Sequence, residues 1–294
     1  MHSRPDSIVE RFAPSPTGAL HLGHAFSAIT AHDAARAAGG RFLLRIEDID
    51  HTRCRPAFEA AILDDLAWLG LRWDGPVLRQ ITRRAAHADA LEALAARGLV
   101  YPCTCTRRDL ALSAPQEGAE GPDGPVYPGT CRGRDLAGIR AAGLPHALRL
   151  DMRAAIDALG GPAAVARITF EEIAAPRAGR HPLDAKALIA GIGDVALGRK
   201  DIGTSYHIAV VLDDAHQGVN RVTRGEDLFP STPLHRLLQA LLGLPAPAWR
   251  HHRLIRDEGG RRLAKRDAAR ALSTLRTAGA TPADIRAMLG LAPA

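Results

Sequence analysis

Two histidines three residues apart, His21 and His24, flank Leu22 and Gly23 in the segment RFAPSPTGALHLGH. The segment passes from the end of a short predicted strand through a proline-rich turn into a stretch with helical spacing. A helix N-terminus offers unpaired N–H groups and the positive end of the helix dipole, which suit a phosphate. Histidines three apart can donate to the same phosphate, and a glycine lets a nucleotide approach the backbone. The segment therefore predicts an ATP cradle.

The histidine pair has two other interpretations, a metal site and incidental surface side chains. A metal site is disfavoured because the segment offers only two histidines and lacks the glutamate of an HExxH motif. The H-x-G-H pattern is a weak signal by itself, so the prediction needs support from other segments.

Three of the four cysteines form a second candidate site. Cys103 and Cys105 are one residue apart, and Cys131 follows in the same glycine- and proline-rich stretch. Two close thiolates and a distant third suit one structural Zn²⁺ that closes a loop, although three ligands are one short. Free thiols are the alternative, and Cys54 lies apart with no assigned role.

The elements that must position these groups alternate between strand and helix. Strands are predicted at Ile8–Phe12, Phe42–Ile46 and 98–102, and helices at 24–38, 58–69 and 85–97. After a break, the apolar runs 207–212 and 218–223 predict that the sheet resumes, followed by a helix at 233–242 capped by Ser231 or Thr232. This alternation is typical of an α/β fold with a doubly wound parallel sheet, which binds ligands at the carboxyl ends of its strands.

The break in the alternation predicts a nucleotide-binding domain split by an insertion. Its first half is assigned to 1–102, and the insertion to 103–200 with a zinc module at 103–131. The second half is assigned to 201–250, and a loop with a short helical tail to 251–294.

Composition narrows the class of protein. The chain has 294 residues, of which 46% are hydrophobic and 24% charged, with a net charge of +6. This balance is typical of a soluble globular protein. The sequence has no run of about 18 apolar residues, and its N-terminal segment MHSRPDSIVERF lacks an apolar core, so we expect a cytoplasmic protein without a membrane span or a signal peptide. The excess of arginine favours a polyanionic partner, and a solvated basic surface is the alternative.

Three segments taken together carry a family resemblance. RFAPSPTGALHLGH, FLLRIEDID at 42–50 and VTRGEDLFPSTP at 222–233 resemble the catalytic domain of glutamyl-tRNA synthetases. These are class I aminoacyl-tRNA synthetases, whose HIGH signature is HLGH here. The resemblance covers nearly the whole chain and implies a Rossmann-like fold that uses ATP with Mg²⁺. His21, Gly23 and His24 would bind ATP, and both histidines would be catalytic.

The second signature of the class, KMSKS, is matched poorly by RLAKR at 262–266. The match keeps one lysine, Lys265, which would bind ATP and act in catalysis by placing a cation against the β- and γ-phosphates. From spacing alone, Lys265 reads as a solvated side chain in a basic run.

A glutamate pocket needs a cation for the side-chain carboxylate. A guanidinium fork binds a carboxylate bidentately, so Arg11, at the end of the first strand, and Arg224, in VTRGED, are the candidates. A surface salt bridge is the alternative role for Arg11.

The same pocket needs an anion for the α-ammonium group. Glu47 at the end of the second strand suits it, and the resemblance favours Glu47 over the neighbouring Arg45 and Asp48. Ser15 and Tyr206 fall where the family places further substrate contacts.

The cysteine segment is similar to the C-x-C…Y-x-x-x-C form of the family. This resemblance implies Tyr127 as the fourth zinc ligand beside the three cysteines, through its phenolate. Asp123, His146 and water are the alternatives.

Only 29 residues follow Lys265, which is too few for an anticodon-binding domain. A catalytic half without that domain resembles the glutamyl-Q tRNA(Asp) synthetase family. The resemblance implies tRNA-independent activation of L-glutamate by a monomer, and transfer of the glutamate to the cyclopentenediol of queuosine in tRNA(Asp).

Two other functions compete with this one. A minimal glutamyl-tRNA synthetase would charge an ordinary 3′ end. A non-catalytic tRNA-binding paralogue is favoured by the eroded KMSKS segment. HLGH, Arg11, Glu47 and Lys265 argue against the paralogue, because binding alone does not require an ATP cradle.

Overall fold

A computed structural model of the chain describes residues 7–106, 108–110, 120–256 and 271–293. Its strands are β1 Val9–Phe12, β2 Arg41–Ile46, β3 Leu78–Arg79, β4 Val100–Cys103, β5 Glu120–Gly121, β6 Gly124–Pro125, β7 Ala147–Leu150, β8 Thr169–Glu172, β9 Gly179–Pro182, β10 Ala196–Gly198, β11 Arg221–Gly225 and β12 Ala248–His252. Its α-helices include α1 Leu22–Ala37, α2 Pro56–Trp68, α3 Arg84–Ala96, α4 Leu136–Ala141, α5 Met152–Ala158, α6 Pro162–Val165, α7 Ala185–Ala187, α8 Tyr206–His216, α9 Thr232–Leu242, α10 Leu272–Thr277 and α11 Pro282–Met288. None of the described helices is both long and apolar enough to cross a bilayer.

Two parallel sheets from distant parts of the chain lie edge to edge and are together called the central sheet. β1, β2 and β3 form one half, while β11, β12 and β8 form the other, with β9 antiparallel at the edge. The halves meet where β1 lies beside β11, and the Val9 N–H donates to Asn220 Oδ1 at 2.8 Å. The strand order therefore reverses between β1 and β11, which is where a doubly wound sheet binds its ligand.

The alternation of side chains along β2 separates the two faces of the sheet. Phe42, Leu44 and Ile46 pack in a core with α1 and α2, and this core also receives α10 and α11. Leu43 belongs to the core on the opposite face, which contains α8 and α9. Because side chains alternate along a strand, Arg45 points to the same face as Leu43, and its side chain is fully buried there.

Two predicted strands differ in the structure. The apolar run at 207–212 lies inside helix α8, because a short apolar run does not distinguish a buried helix from a buried strand. The strand predicted at 98–102 forms as β4, but it pairs antiparallel with β7 rather than joining the parallel sheet. Its partner is distant in sequence, so no local pattern specified the pairing.

The segment predicted as an insertion, 103–200, contributes strands to more than one sheet. β7 pairs with β4 and β10 in an antiparallel sheet of its own, as an insertion would. β8, however, pairs with β12 in the central sheet. The chain therefore leaves the central sheet, returns to contribute β8, and leaves again before α8.

Glu10 is a carboxyl group buried inside the central sheet. Its side chain has 0% exposure and accepts a hydrogen bond from Thr223 Oγ1 at 3.1 Å. Burial raises the pKa of Glu10 from 4.5 to about 7, against the opposing effects of Thr223 and the nearby arginines. The folded chain therefore binds this proton more tightly than the unfolded chain, so stability falls as the pH rises from about 4.5 to about 7.

We expect Glu10→Gln to raise the free energy of unfolding by about 2 kcal/mol at pH 8, because the variant has no buried charge to form. At pH 5 the effect should be small, since Glu10 is then protonated in the folded chain. Urea unfolding at the two pH values measures the difference, with the exposed Glu171→Gln as the control. An equal gain at both pH values would contradict the titration of Glu10.

Candidate active site

A cavity of about 350 Å³ opens at the carboxyl ends of β1, β2 and β11. It collects every residue predicted for ATP or glutamate that the structure describes. These lining residues are Arg11, Ser15, His21, Gly23, His24, Glu47, Tyr206 and Arg224. Residues far apart in sequence meet here because the sheet reverses its strand order at this point.

The histidine pair forms the N-terminus of α1. His21 is the N-cap residue, and its Nδ1 accepts the Gly23 N–H at 3.1 Å, while His24 Nδ1 accepts the His21 N–H at 3.2 Å. A neutral imidazole that accepts at Nδ1 carries its proton on Nε2. The cap therefore fixes both rings in the tautomer that donates from Nε2, and the ring centroids are 3.8 Å apart. Two imidazole donors thus stand together at a helix N-terminus.

The structure gives Gly23 a more immediate role than the predicted approach of a nucleotide. A Cβ built at Gly23 would lie 3.0 Å from Cε1 of the His21 ring and 3.1 Å from its Nδ1. Glycine leaves the room in which the His21 ring folds back to cap the helix. Gly23 therefore positions one of the two donors.

Lys265 lies outside the described residues, as does the whole RLAKR segment. On its C-terminal side, Ala271 forms an antiparallel bridge with His21, and the Leu272 N–H donates to the Leu20 carbonyl at 2.9 Å. On its N-terminal side, Ile255 lines the cavity. Both described flanks of the segment thus contact the site.

A buried ion-pair network connects the two cavity-lining residues Arg11 and Glu47. Arg11 Nε donates to Asp214 Oδ1 at 3.0 Å, and Arg45 Nη1 donates to the same oxygen at 2.6 Å. Arg45 Nη2 donates to Glu47 Oε1 at 3.2 Å. All four side chains are at least nine-tenths buried, so the network is fixed before any ligand binds. Burial raises the pKa of Glu47, and the charges of Arg45 and Arg11 oppose that effect.

The alternatives to Glu47 have other partners. Asp48 accepts the Ile81 N–H at 2.8 Å and does not line the cavity. Arg45 donates its hydrogen bonds to Asp214, Glu47 and Gln217. Among these three neighbours on β2 and its end, Glu47 is the one whose side chain lines the cavity.

Arg224 is held by five hydrogen bonds to uncharged acceptors. They run from Nε to His251 Nε2 at 3.0 Å, from Nη1 to His235 Nδ1 at 3.0 Å and Tyr206 Oη at 3.4 Å, and from Nη2 to Thr232 Oγ1 at 2.8 Å and the Leu228 carbonyl at 3.2 Å. The bond to Tyr206 is the longest, so it is the one that a ligand carboxylate can replace at least cost.

Sequence reasoning missed several groups that hold these arginines in place. Asp214 lies in the run VVLDDAH, where two acids interrupt an otherwise apolar helix, and that interruption was a usable signal. His235 and His251 gave no such signal, because isolated histidines in apolar segments are common.

The three predicted cysteines meet at a second site. The Sγ atoms of Cys103, Cys105 and Cys131 all lie within 4.8 Å of one another. Tyr127 Oη lies 3.5 Å from Cys103 Sγ and 3.6 Å from Cys105 Sγ, and it accepts the Cys131 N–H at 2.9 Å. Zn–S bonds of about 2.3 Å in a tetrahedron separate two sulfurs by about 3.8 Å, so the donor set fits a metal of that size.

The electrostatics of this cluster favour a thiolate. Burial acts to raise the pKa of the Cys131 thiol, but hydrogen bonds from Tyr127, from the Thr104 backbone and from the other thiols lower it to about 6. Burial also raises the pKa of Tyr127, so its hydroxyl is protonated without a metal. The alternative fourth ligands have partners elsewhere, since Asp123 accepts from His207 and His146 contacts the Leu144 carbonyl.

The family model and the similar sequences that match this chain all point to the same family of proteins. Residues 7–292 match the family described as tRNA synthetases class I (E and Q), catalytic domain. The chain is 60% identical over 289 residues to the glutamyl-Q tRNA(Asp) synthetase of Rhodobacter capsulatus, covering 97% of this chain and 100% of the relative. It is 44% identical over 286 residues to that of Nocardia farcinica, covering 95% and 82%.

Comparison with solved structures supports the same fold. A glutamate tRNA ligase from Elizabethkingia meningosepticum, in complex with its amino acid, superposes with a TM-score of 0.70 at 28% identity. The match covers 90% of this chain and 53% of that one, so the chain spans about half the length of the ligase. A methionyl-tRNA synthetase from Mycobacterium tuberculosis, at 11% identity and a TM-score of 0.59, shares the fold alone.

Proposed function

This chain belongs to the class I tRNA synthetases for glutamate and glutamine and, within them, to the glutamyl-Q tRNA(Asp) synthetases, and from this premise we propose that it activates L-glutamate with ATP and transfers it to queuosine in tRNA(Asp). The observation that carries the proposal is the single cavity that joins a two-imidazole helix N-terminus to a buried group of arginines. The names of the relatives support the acceptor.

The charge balance of the cavity supports an acidic amino acid. Arg11, Arg45 and Arg224 supply three guanidinium groups that are at least nine-tenths buried, and Asp214 and Glu47 supply two such carboxylates, which leaves one positive charge in excess within this buried set. Asp227, which also lines the cavity, is only partly buried. A ligand with a side-chain carboxylate neutralises that excess, and glutamine does not. In this assignment Arg11 and Arg224 bind the side-chain carboxylate, Glu47 accepts from the α-ammonium group, and Ser15 and Tyr206 add hydrogen bonds.

The activation step joins the two ends of the cavity. An oxygen of the glutamate α-carboxylate attacks the α-phosphorus of ATP in line, and the bond to the departing pyrophosphate breaks. His21 and His24 donate from Nε2 to the phosphate oxygens, where negative charge grows in the transition state. Lys265 supplies a cation to the β- and γ-phosphates, and Mg²⁺ accompanies ATP as part of the substrate. The protein thus acts by positioning and charge stabilisation, without a covalent nucleophile.

The transfer step uses a hydroxyl of the queuosine cyclopentenediol. Its oxygen attacks the carbonyl carbon of the glutamyl adenylate, an ester bond forms, and AMP leaves with the electron pair of the broken bond while the hydroxyl proton passes to the released phosphate group. We assign catalysis to residues 1–102 and 201–250, together with β8, and contact with the RNA to the remainder of 103–200. Residues 251–294 would supply Lys265 and the helices that pack beside α1.

The cysteine site suits one structural Zn²⁺ held by the three cysteines, with Tyr127 as the fourth ligand. A bound Zn²⁺ lowers the pKa of a coordinating hydroxyl and so offsets the burial of Tyr127. The Arg149 guanidinium carbon lies 3.8 Å from the centre of the Tyr127 ring, which places a positive charge over the side chain proposed as the fourth ligand. The metal would stabilise the segment between β4 and β7 rather than take part in the reaction.

We expect Cys131→Ser to lose the bound zinc, because the variant keeps only two cysteine thiolates and Tyr127, which are too few ligands to hold the ion tightly. Metal analysis should find one zinc per wild-type chain and less than about a tenth of that in the variant. Thermal unfolding should shift downward in the same variant. Cys54→Ser is the matched control and should keep its metal, whereas equal zinc in all three proteins would contradict the site.

Exchange of labelled pyrophosphate into ATP tests the proposed activation without any tRNA. The expected result is exchange that depends on glutamate and is at least about a hundredfold weaker with glutamine, since glutamine leaves the excess positive charge unpaired. No exchange, or equal exchange with the two amino acids, would refute the proposed activity.

A further inference from the structure

Arg224 is the start of two chains of hydrogen-bonded side chains, each of which passes through buried histidine and ends at a carboxylate, the exposed Asp123 in the first chain and the buried Glu172 in the second. In the first chain, Arg224 Nη1 contacts His235 Nδ1 at 3.0 Å, and His235 Nε2 contacts His207 Nδ1 at 3.0 Å. His207 Nε2 then contacts Asp123 Oδ2 at 2.8 Å. In the second chain, Arg224 Nε contacts His251 Nε2 at 3.0 Å, and His251 Nδ1 contacts Glu172 Oε2.

The direction of every hydrogen bond in these chains follows from the arginine. A guanidinium group only donates, so His235 Nδ1 and His251 Nε2 must both accept. The proton of His235 therefore lies on Nε2 and is donated to His207, which donates from Nε2 to the Asp123 carboxylate. His251 carries its proton on Nδ1 and donates it to Glu172. The two rings that contact Arg224 are thus fixed as opposite tautomers.

Burial keeps both rings uncharged. His235 and His251 are 2% and 6% exposed. Burial and the positive charge of Arg224 lower the pKa of His235 well below its usual range and that of His251 to about 4, although Glu172 opposes the shift at His251. At neutral pH the two histidines therefore satisfy the N–H groups of Arg224 without adding or removing charge.

The other two arginines of the site, Arg11 and Arg45, differ from Arg224 in that each has a charged partner. Arg11 and Arg45 each contact the Asp214 carboxylate directly, and Arg45 also contacts Glu47. The acceptors around Arg224, among the described residues, are instead all neutral. A direct carboxylate partner would cancel much of the field of Arg224 inside the cavity, since electrostatic interactions are strong in a buried site.

We propose that His235 and His251 are positioning residues, neutral spacers that hold Arg224 in place while leaving its charge available to the carboxylate of the substrate. The inference rests on the proposed function, because it assigns the uncancelled charge to the selection of an acidic amino acid. The carboxylates Glu172 and Asp123 lie one and two imidazoles away, where they orient the rings without pairing with the arginine.

A matched pair of variants at residue 235 tests the charge of the spacer. Asn and Asp have nearly the same shape, and each places an oxygen close to the position of Nδ1. We expect His235→Asn to raise the KM for glutamate no more than about threefold, because a neutral acceptor remains. His235→Asp should raise it at least about tenfold further, because a carboxylate then pairs with Arg224. The KM for ATP should stay within about twofold in both variants.

The control pair is His216→Asn and His216→Asp, at an exposed position of α8, and these two should be alike. If His235→Asn and His235→Asp give the same KM for glutamate, or if the KM for ATP rises in parallel, the proposal is wrong. A wild-type chain without glutamate-dependent exchange refutes the proposed function instead.

The tautomers give a second test that needs no activity. NMR of the chain labelled with nitrogen-15 in its histidine rings should find His235 neutral with its proton on Nε2, and His251 neutral with its proton on Nδ1. An imidazolium at either position at pH 7, or the same tautomer at both, would overturn the spacer role whatever the substrate is.

Discussion

Arg11→Gln is expected to reduce kcat/KM for glutamate by roughly a thousandfold in pyrophosphate exchange, because removing one partner of a buried charged contact costs about 4 kcal/mol. The Arg11 side chain lines the cavity, while its Nε donates to Asp214 and its Nη1 donates to the Thr223 carbonyl. Among the described residues no hydrogen bond from Nη2 is present, so this edge can receive a ligand carboxylate. Most of the loss should appear in the KM for glutamate, since the contact is made with the bound substrate.

Two further variants separate charge from geometry at this position. Arg11→Lys keeps a positive charge but loses the planar fork, so its kcat/KM should lie between those of the wild type and Arg11→Gln. Arg41→Gln, at the exposed start of β2, should leave kcat/KM unchanged. If Arg11→Gln retained its affinity for glutamate, the carboxylate would have to bind elsewhere in the cavity.

The second large effect is expected at His24, where two variants divide the functions of one ring. Asn places an oxygen near the position of Nδ1, so His24→Asn keeps the acceptor for the His21 N–H and removes the donor at Nε2. We expect its kcat for exchange to fall by roughly a hundred- to a thousandfold, with stability close to that of the wild type.

His24→Gln should show the converse. Its amide nitrogen reaches toward the position of Nε2, so a donor is kept, whereas the acceptor for the helix cap is lost. The expected result is a smaller loss of kcat together with about 1 kcal/mol less stability. Exchange kinetics and urea unfolding of the two variants measure both quantities. A wild-type kcat in His24→Asn would remove this imidazole from the transition state.

The central sheet and most of the cavity could be predicted from the sequence, because local signals mark them. Arg11 lies near the end of β1 and Glu47 directly follows β2. The carboxyl ends of parallel strands meet at one edge of a sheet. His21 and His24 stand at a helix start, which the turn before them identifies. The cysteine spacing likewise predicted a cluster, and the three sulfurs do meet.

What the sequence did not predict depends on contacts between distant segments. β4 pairs with β7, and β8 pairs within the central sheet, because packing across the whole fold decides which strands pair. The hydrogen bonds that hold Arg224 also come from segments that are distant in sequence. His235 and His251 come from α9 and β12, and each is an ordinary residue of its own segment. Only their meeting around one guanidinium group gives them a role.

The position of the transferred glutamate tests the central claim most directly. Labelled glutamate and ATP are incubated with the protein and two preparations of tRNA(Asp), one with queuosine and one with guanine at the same position, and the labelled RNA is then digested into nucleosides. The account predicts label on the queuosine nucleoside from the first preparation and none from the second. Label on the terminal adenosine of both preparations would contradict it.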